Sequence, residues 1–443
     1  MAKSVTPLPV SILPPSEPPS PPQLHGLARL CRFLVHRFLK KLRQGRLTIE
    51  EGRHRHTFGR PTDLTPASAR LVIHQPEFYP SLIRGGSRGL GEAYLRGCWS
   101  SPDLTAALCL LHRAYRRWEP LTRWLAPLAI FSRSRRCRRN TLAASRANIA
   151  AHYDLGNDFY ALFLDETMAY SCAIFPRPDS SLAEAQQHKY DVICRKLALQ
   201  PHHHLLEIGS GWGGLAIYAA RHYGCRVTTT TISRQQFDFA QQAVQTAGLS
   251  QRVVVLCQDY RQLRGEYDRL VSIEMIEAVG HEYLPDFFRV CSRCLKADGL
   301  MLLQAIIIAD RFYDRYLRTQ DFIRSHIFPG GCLVSLASLG RAAAQASDLR
   351  LVNMEDLTAF YIQTLQHWRQ RFLAGRQELL AQGFSEAFRR LWEFYLCYCE
   401  AGFIERYTGD VQLLYAKPAH RQLSWPWSAG SCGPSPGLNS YLT

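Results

Sequence analysis

The chain of 443 residues contains no run of about 18 apolar residues, so no membrane-crossing helix is predicted. Its 14 cysteines lack a framework. Cys291 and Cys294 form a CxxC and Cys397 and Cys399 a CxC, but no second CxxC stands where a zinc ribbon would need it. The expectation is therefore reduced, mostly buried thiols in a cytosolic protein, with no metal site. His202, His203 and His204 read as a loop before a strand. The opening MAKSVTPLPVSILPPSEPPSPPQ is too broken by proline for the helical core of a signal peptide, and residues 1–23 read as a disordered Pro-rich arm. With 47% hydrophobic and 20% charged residues, a disordered or collagen-like chain is excluded, and the length allows two or three domains.

Acid is scarce in one region only. Residues 1–150 carry 25 Lys/Arg against 8 Asp/Glu, while residues 151–443 carry 28 against 29, so the whole excess of +16 sits in the first third. Such a basic third implies an anionic partner, phospholipid or nucleic acid. Residues 24–46 lack Asp and Glu altogether. Leu27, Cys31, Leu34, Phe38 and Leu42 recur there at helical spacing, with Arg29, Arg32, His36, Lys40 and Arg43 on another face. This pattern fits either a helix lying on an anionic bilayer or an ordinary helix packed on its own domain. Further on, Ala69–His74 is strand-like, Gly85–Gly91 reads as a glycine-rich connector, and a helix is expected around Leu104–Trp118. A second basic region, Arg113–Arg146, holds ten Arg and one Glu. Its RRCRR (135–139) would suit RNA as well as lipid headgroups.

From Leu205 strand and helix patterns alternate. Strands are expected at Leu205–Ile208, Arg226–Thr231, Val253–Cys257, Leu270–Glu274 and Leu300–Ile306, with helices such as Leu215–His222 and Gln235–Ala247 between them. Helical segments follow from Tyr313 to Phe403. This is the signature of an α/β, doubly wound, Rossmann-like domain whose ligand lies at the C-terminal strand ends, joined to a smaller basic N-terminal domain. The boundaries expected are 1–23 for the arm, 24–145 for the basic lipid-associating domain, 146–418 for the catalytic domain and 419–443 for a flexible tail.

The most informative stretch is LLEIGSGWGGLAIYAA (205–220). Gly209, Gly211 and Gly214 satisfy G-x-G-x-x-G, a weak signal alone. A dinucleotide site would want an acid about 20 residues on, but Thr228–Ser233 has none, which counts against NAD. Glu207 just before the glycines, and Asp259 after the third strand, instead suit S-adenosylmethionine, whose ammonium and adenine amine both need acceptors.

At this point the chain resembles the cyclopropane-fatty-acyl-phospholipid synthase family over roughly residues 48–418. The resemblance rests on GLGEAYLRGCW (89–99), HYDLGNDFYALFLDETMAYSCAIF (152–175), LEIGSGWGGLAIYAA (206–220), VSIEMIEAVGHEYLPDFF (271–288), HIFPGG (326–331) and YIQTLQHWRQRF (361–372). Together, EMIEAVGHE and CEAGFIERYTGD look most like a branch shared by plants and some bacteria. The resemblance implies transfer of the sulfonium methyl of S-adenosylmethionine to a cis double bond of a phospholipid acyl chain. Deprotonation by a bound bicarbonate ion then closes a cyclopropane. It places the bicarbonate pocket on Cys172, Glu277, Tyr361, Gln304 and the backbone at Ile306. The donor is placed on Tyr170, Ser171, Glu207, Gly209, Gly211, Thr231, Ile232, Gln236, Asp259 and Tyr260. Taken singly, Cys172 and Tyr361 would be core residues. Many members carry histidine where this chain has Gln304, and glutamine cannot carry charge or shuttle a proton. Hence a second outcome stays open: methyl transfer ending in a methyl-branched or methylene chain. The partners implied are an unsaturated phospholipid and an anionic membrane surface, with no nucleic acid and with a homodimer allowed. The enzyme would be cytoplasmic and peripherally attached to the inner face of the membrane.

Overall fold

A computed structural model of the protein describes residues 26–64, 66–129 and 155–421. The Pro-rich arm, RRCRR and most of the tail lie outside the described residues. The chain divides into two compact units: one holds the N-terminal residues to Ala129 together with Leu379–Ala401, the other Ile130–Glu378 and the residues from Gly402. Segment 379–401 thus joins the first unit although it lies late in the sequence.

The first unit contains a four-stranded sheet, β1 (Gly45–Glu51), β2 (His54–Arg60), β3 (Ser68–Ile73) and β4 (Trp99–Ser100), in the order β2-β1-β3-β4. Its first helix, Gly26–Leu39, buries Cys31, Val35 and Leu39, with Leu42 just beyond. This corrects the apolar face expected from the sequence. Leu27 and Leu34 point to solvent, as do Leu30 and Phe33, at 51%, 37%, 56% and 59% exposure respectively. The face rotates because Arg32 and His36, expected among the outward cations, turn inward. The Arg32 Nε lies 3.0 Å and 2.9 Å from the two carboxylate oxygens of buried Glu51. Tyr79 donates its hydroxyl to the same carboxylate at 2.5 Å. Gly85–Gly91 is not a connector but lies within the helix Phe78–Leu95, which kinks at Gly86 (φ 54°). A side chain at Gly89 would collide with the Ser81 carbonyl across that kink.

The second unit is a seven-stranded sheet: β5 (His204–Ile208), β6 (Arg226–Thr231), β7 (Val253–Cys257), β8 (Tyr267–Ile273), β9 (Leu295–Ile308), β10 (Arg350–Asp356) and β11 (Thr408–Ala416). The order is β10-β11-β9-β8-β5-β6-β7, with β9-β8-β5-β6-β7 parallel and β11 and β10 antiparallel at the edge. The five parallel strands stand where expected, whereas β10 and β11 were not anticipated. The chain order reverses at β5, so the crevice of this doubly wound sheet opens beyond the end of β5.

Alternation along the strands splits the core between the two faces. Leu206, Leu270, Met301, Leu303 and Leu413 pack one side with helix Leu284–Cys294. Leu205, Val271, Leu300, Leu302 and Leu414 pack the other with helices Leu182–Lys196 and Gly214–Tyr223. Toward the C-terminal strand ends, the second face turns from apolar to polar. Leu302 gives way to Gln304, Leu414 to Gln412 and Asp410, and Leu205 to Glu207, all buried. Helix Leu182–Lys196 answers with buried Gln186, Lys189 and Lys196, at spacings of three and seven that share one helical face.

Candidate active site

The glycine loop follows β5. Gly209, Gly211 and Gly213 all have left-handed backbones (φ 99°, 49° and 93°), and the helix Gly214–Tyr223 begins directly after them. A side chain at Gly211 would meet open space within the protein, so the glycine there serves the turn and the approach of something else. Glu207, fully buried at the end of β5, leaves its Oε2 without a hydrogen-bond partner among the described residues. Burial pushes its carboxyl up to about 8. A buried orphan acceptor beside an open glycine loop fits a ligand bearing ammonium or amide hydrogens, as S-adenosylmethionine does.

Of the other residues expected at the donor, Thr231, Ile232, Gln236, Asp259 and Tyr260 stand at or just after the ends of β6 and β7. The Thr231 hydroxyl donates to Gln236 Oε1 at 2.9 Å and accepts from the Ser233 backbone at 3.1 Å, which fixes the turn around Ile232. The buried Asp259 carboxylate is taken by Arg261, 2.8 Å from Nη2. Tyr260 turns its ring into the core against Phe287. Ser171 accepts from the buried Lys189 Nζ at 2.6 Å, and the Tyr170 ring stands among Tyr160, Trp368 and Phe328 at 5.4, 5.2 and 6.5 Å.

The residues expected around bicarbonate are brought together, but around a side chain. The Glu274 carboxylate accepts at Oε1 from the Cys172 backbone N–H (2.8 Å) and from Gln304 Nε2 (2.8 Å), and at Oε2 from the Tyr361 hydroxyl (2.6 Å). Cys172 contributes its backbone. Its fully buried thiol is pushed well above the usual range, by burial first and then by the Asp410 and Glu274 charges. The second N–H of Gln304 reaches Asp410 Oδ2 at 3.1 Å. The Gln304 amide is oriented by a chain of bonds. Lys196, which can only donate, gives to Gln412 Oε1 at 2.6 Å, so the Gln412 amide donates to Gln304 Oε1 at 3.0 Å and the Gln304 N–H groups face the carboxylates.

Glu277 sits alongside. Its Oε1 accepts from the Ile306 N–H at 2.6 Å, while its Oε2 has no partner among the described residues. Burial, reinforced by the Glu274 charge, raises it to about 8. Asp410 is raised well above its ordinary value by burial and by both glutamates. Lys189, also fully buried, offsets part of this negative charge. The sequence reading missed Glu274, Asp410, Lys189 and Gln412. Glu274 stood in the EMIEAVGHE block as its first glutamate, but nothing in the sequence shows where its side chain points.

A largely buried acceptor cluster bordered by the Tyr361 ring, one strand away from an open glycine loop, can accommodate a cationic group out of water. Comparison with known proteins identifies the family. The family described as mycolic acid cyclopropane synthetase matches residues 140–413. Tuberculostearic acid methyltransferase UfaA1 of Mycobacterium tuberculosis (strain ATCC 25618 / H37Rv) is 40% identical over 356 residues, covering 78% of this chain and 83% of its own. Cyclopropane-fatty-acyl-phospholipid synthase of Escherichia coli (strain K12) is 38% identical over 358 residues, covering 78% and 87%. Among solved structures, mycolic acid cyclopropane synthase CmaA1 complexed with S-adenosylhomocysteine (SAH) and CTAB is 35% identical. It matches with a TM-score of 0.58 over 61% of this chain and 98% of that one. The chain belongs to the mycolic acid cyclopropane synthetase family of S-adenosylmethionine-dependent methyltransferases.

Proposed function

We propose that the enzyme methylates the cis double bond of an unsaturated phospholipid acyl chain and that loss of a proton from the added methyl closes a cyclopropane. The observation that carries this reading is the acceptor cluster of fully buried Asp410 and partly buried Glu274 and Glu277, bordered by the Tyr361 ring, which packs against Trp368 and Phe403. S-adenosylmethionine, when bound, supplies an electrophilic sulfonium methyl; Glu207, Gly209, Gly211, Thr231, Ile232 and Gln236 would hold it, and Tyr170 and Ser171 border it. An isolated alkene is a poor nucleophile, so the protein's part is to hold the two reactants in contact and exclude water. Tyr170, Trp368, Tyr361 and Phe403, with the last pair stacked at 4.4 Å, offer ring faces to the positive charge left on the acyl chain. A buried carboxylate then accepts the proton.

The similarity to the tuberculostearic acid methyltransferase UfaA1 supports a second outcome for the same first step, a methylene or methyl-branched chain. Vesicles of cis-unsaturated phospholipid incubated with enzyme and S-adenosylmethionine should yield chains heavier by one CH2. Absence of olefinic carbon in that product would support ring closure; an exocyclic methylene would support the second outcome; unmodified chains would overturn both.

We infer also that the basic first unit meets the anionic bilayer in which such a substrate lies. The exposed row of Leu27, Leu30, Phe33 and Leu34, flanked by exposed Arg29, Arg37, Lys40 and Lys41, supports a helix lying in the headgroup region. The enzyme would then be cytoplasmic and peripheral. Among the described residues no helix is long and apolar enough to cross a membrane.

A further inference from the structure

The family resemblance calls for a bicarbonate ion held by Cys172, Glu277, Tyr361, Gln304 and the backbone at Ile306. In this protein the donors of Cys172, Tyr361 and Gln304 are spent on Glu274, and the Ile306 N–H on Glu277. A second planar anion placed on them would have to displace those carboxylates. It would also add charge to a cluster in which Glu274, Glu277 and Asp410 already repel one another and Lys189 offsets part of the charge. A separate bicarbonate therefore does not fit these residues.

Glu274 is held in place by its backbone as well. It follows β8 with a left-handed φ of 46°, a conformation costly for a side chain with a Cβ. Its N–H is fixed to the Gln304 carbonyl at 2.9 Å. This strain projects the carboxylate into the group of donors. Oε1 accepts two hydrogen bonds, from Cys172 and Gln304. Among the described residues Oε2 accepts only from Tyr361, so one lone pair of Oε2 stays open. Burial raises the Glu274 carboxyl above its ordinary value, which makes it a better base than a solvated carboxylate.

We propose that Glu274 is the base of the reaction, its Oε2 taking the proton that a bound bicarbonate takes elsewhere in the family, so that turnover needs no bicarbonate. This rests on the acyl-chain reading above. A C–C bond forms between the methyl carbon and one alkene carbon as the C–S bond breaks with its electrons remaining on sulfur. The other alkene carbon is left positive. The electrons of one methyl C–H bond then close the second C–C bond, and the proton passes to Oε2. Nothing is oxidised or reduced.

The test uses the full chain, unsaturated phospholipid vesicles and S-adenosylmethionine in buffer freed of carbon dioxide. The wild type is expected to turn over equally with and without added bicarbonate. Glu274→Gly relieves the backbone strain and opens the donor set. It should lose about a hundredfold or more in rate without bicarbonate and recover when bicarbonate is added. Glu274→Gln, of the same shape, should lose as much and not recover. Wild-type activity that vanishes on bicarbonate removal and returns with it would overturn the proposal, as would full activity of Glu274→Gln. A binding measurement independent of turnover separates this from the substrate reading. Titrated with 13C-bicarbonate, Glu274→Gly should broaden the carbon resonance and the wild type should not. Broadening by the wild type that Tyr361→Phe removes would overturn the assignment. Unmodified lipid from the wild type, with the expected binding difference intact, would count against the acyl substrate alone.

Discussion

Each unit of this protein sets a carboxylate among hydrogen-bond donors, and the two are set up in opposite ways. In the first unit, burial would raise Glu51, but the hydrogen bonds from Arg32 and Tyr79 and the Arg32 charge outweigh it and hold the carboxyl below its usual range. In the second, Glu274 receives a phenol, an amide and a backbone N–H, and burial wins; the carboxyl is raised. The neighbours differ in sign as well. Glu51 is paired with a guanidinium, whereas Glu274 shares its surroundings with two further carboxylates and one lysine. A paired carboxylate spends its charge on the fold, while a raised one costs stability and keeps its basicity for something else.

The strongest way to break this comparison is a reciprocal pair of variants. Glu274→Gln should lower kcat by about a hundredfold or more without lowering the melting temperature. Glu51→Gln should leave kcat per folded molecule unchanged and cost on the order of 1–3 kcal/mol, because the half-buried Arg32 guanidinium loses its carboxylate partner. Chemical denaturation of the first, and loss of rate in the second, would erase the distinction. The pH dependence of stability should diverge likewise. With its folded value lowered, Glu51 contributes stability that is present above about pH 4.5 and lost as the pH falls below it. With its folded value raised to about 8, Glu277 contributes stability that is present below about 4.5 and lost as the pH rises toward 8. Denaturation curves of Glu51→Gln and Glu277→Gln across that range check both signs, since each variant should flatten its own limb only.

A smaller effect tests how the Gln304 amide is set. Lys196→Met removes the ammonium that donates to Gln412 Oε1, so kcat should fall by about tenfold and the pH–rate profile should shift. A fall in stability with an unshifted profile would make the lysine structural. The smallest effect concerns the surface of the first unit. Leu30→Ser with Phe33→Ser should weaken partition onto anionic vesicles by several-fold, as read by sedimentation, with activity on detergent-dispersed lipid unchanged. Equal partition would remove that helix from the membrane reading.

Much of the second unit was legible because parallel, doubly buried strands are short apolar runs punctuated by glycine and helix patterns. β11 was not, since Asp410 and Gln412 interrupt its apolar residues, and polar residues inside a strand read as loop. The same disguise hid the site. Gln304 was visible as a departure, but what compensates for it lies on a different strand, in Asp410 and Gln412, and on a turn, in Glu274. The basic helix misled for a related reason. Its spacing was right, but Glu51, distant in sequence, draws Arg32 inward and rotates the buried stripe by about one residue.

The left-handed turn at Glu274 also bears on how such enzymes diverge. Position 274 adopts a backbone that glycine takes freely. Glycine and glutamate codons differ at a single base. If Glu274 is the base, as proposed, exchange between a donor set left open by glycine and one filled by glutamate could be made by a single nucleotide change at a site whose backbone suits glycine.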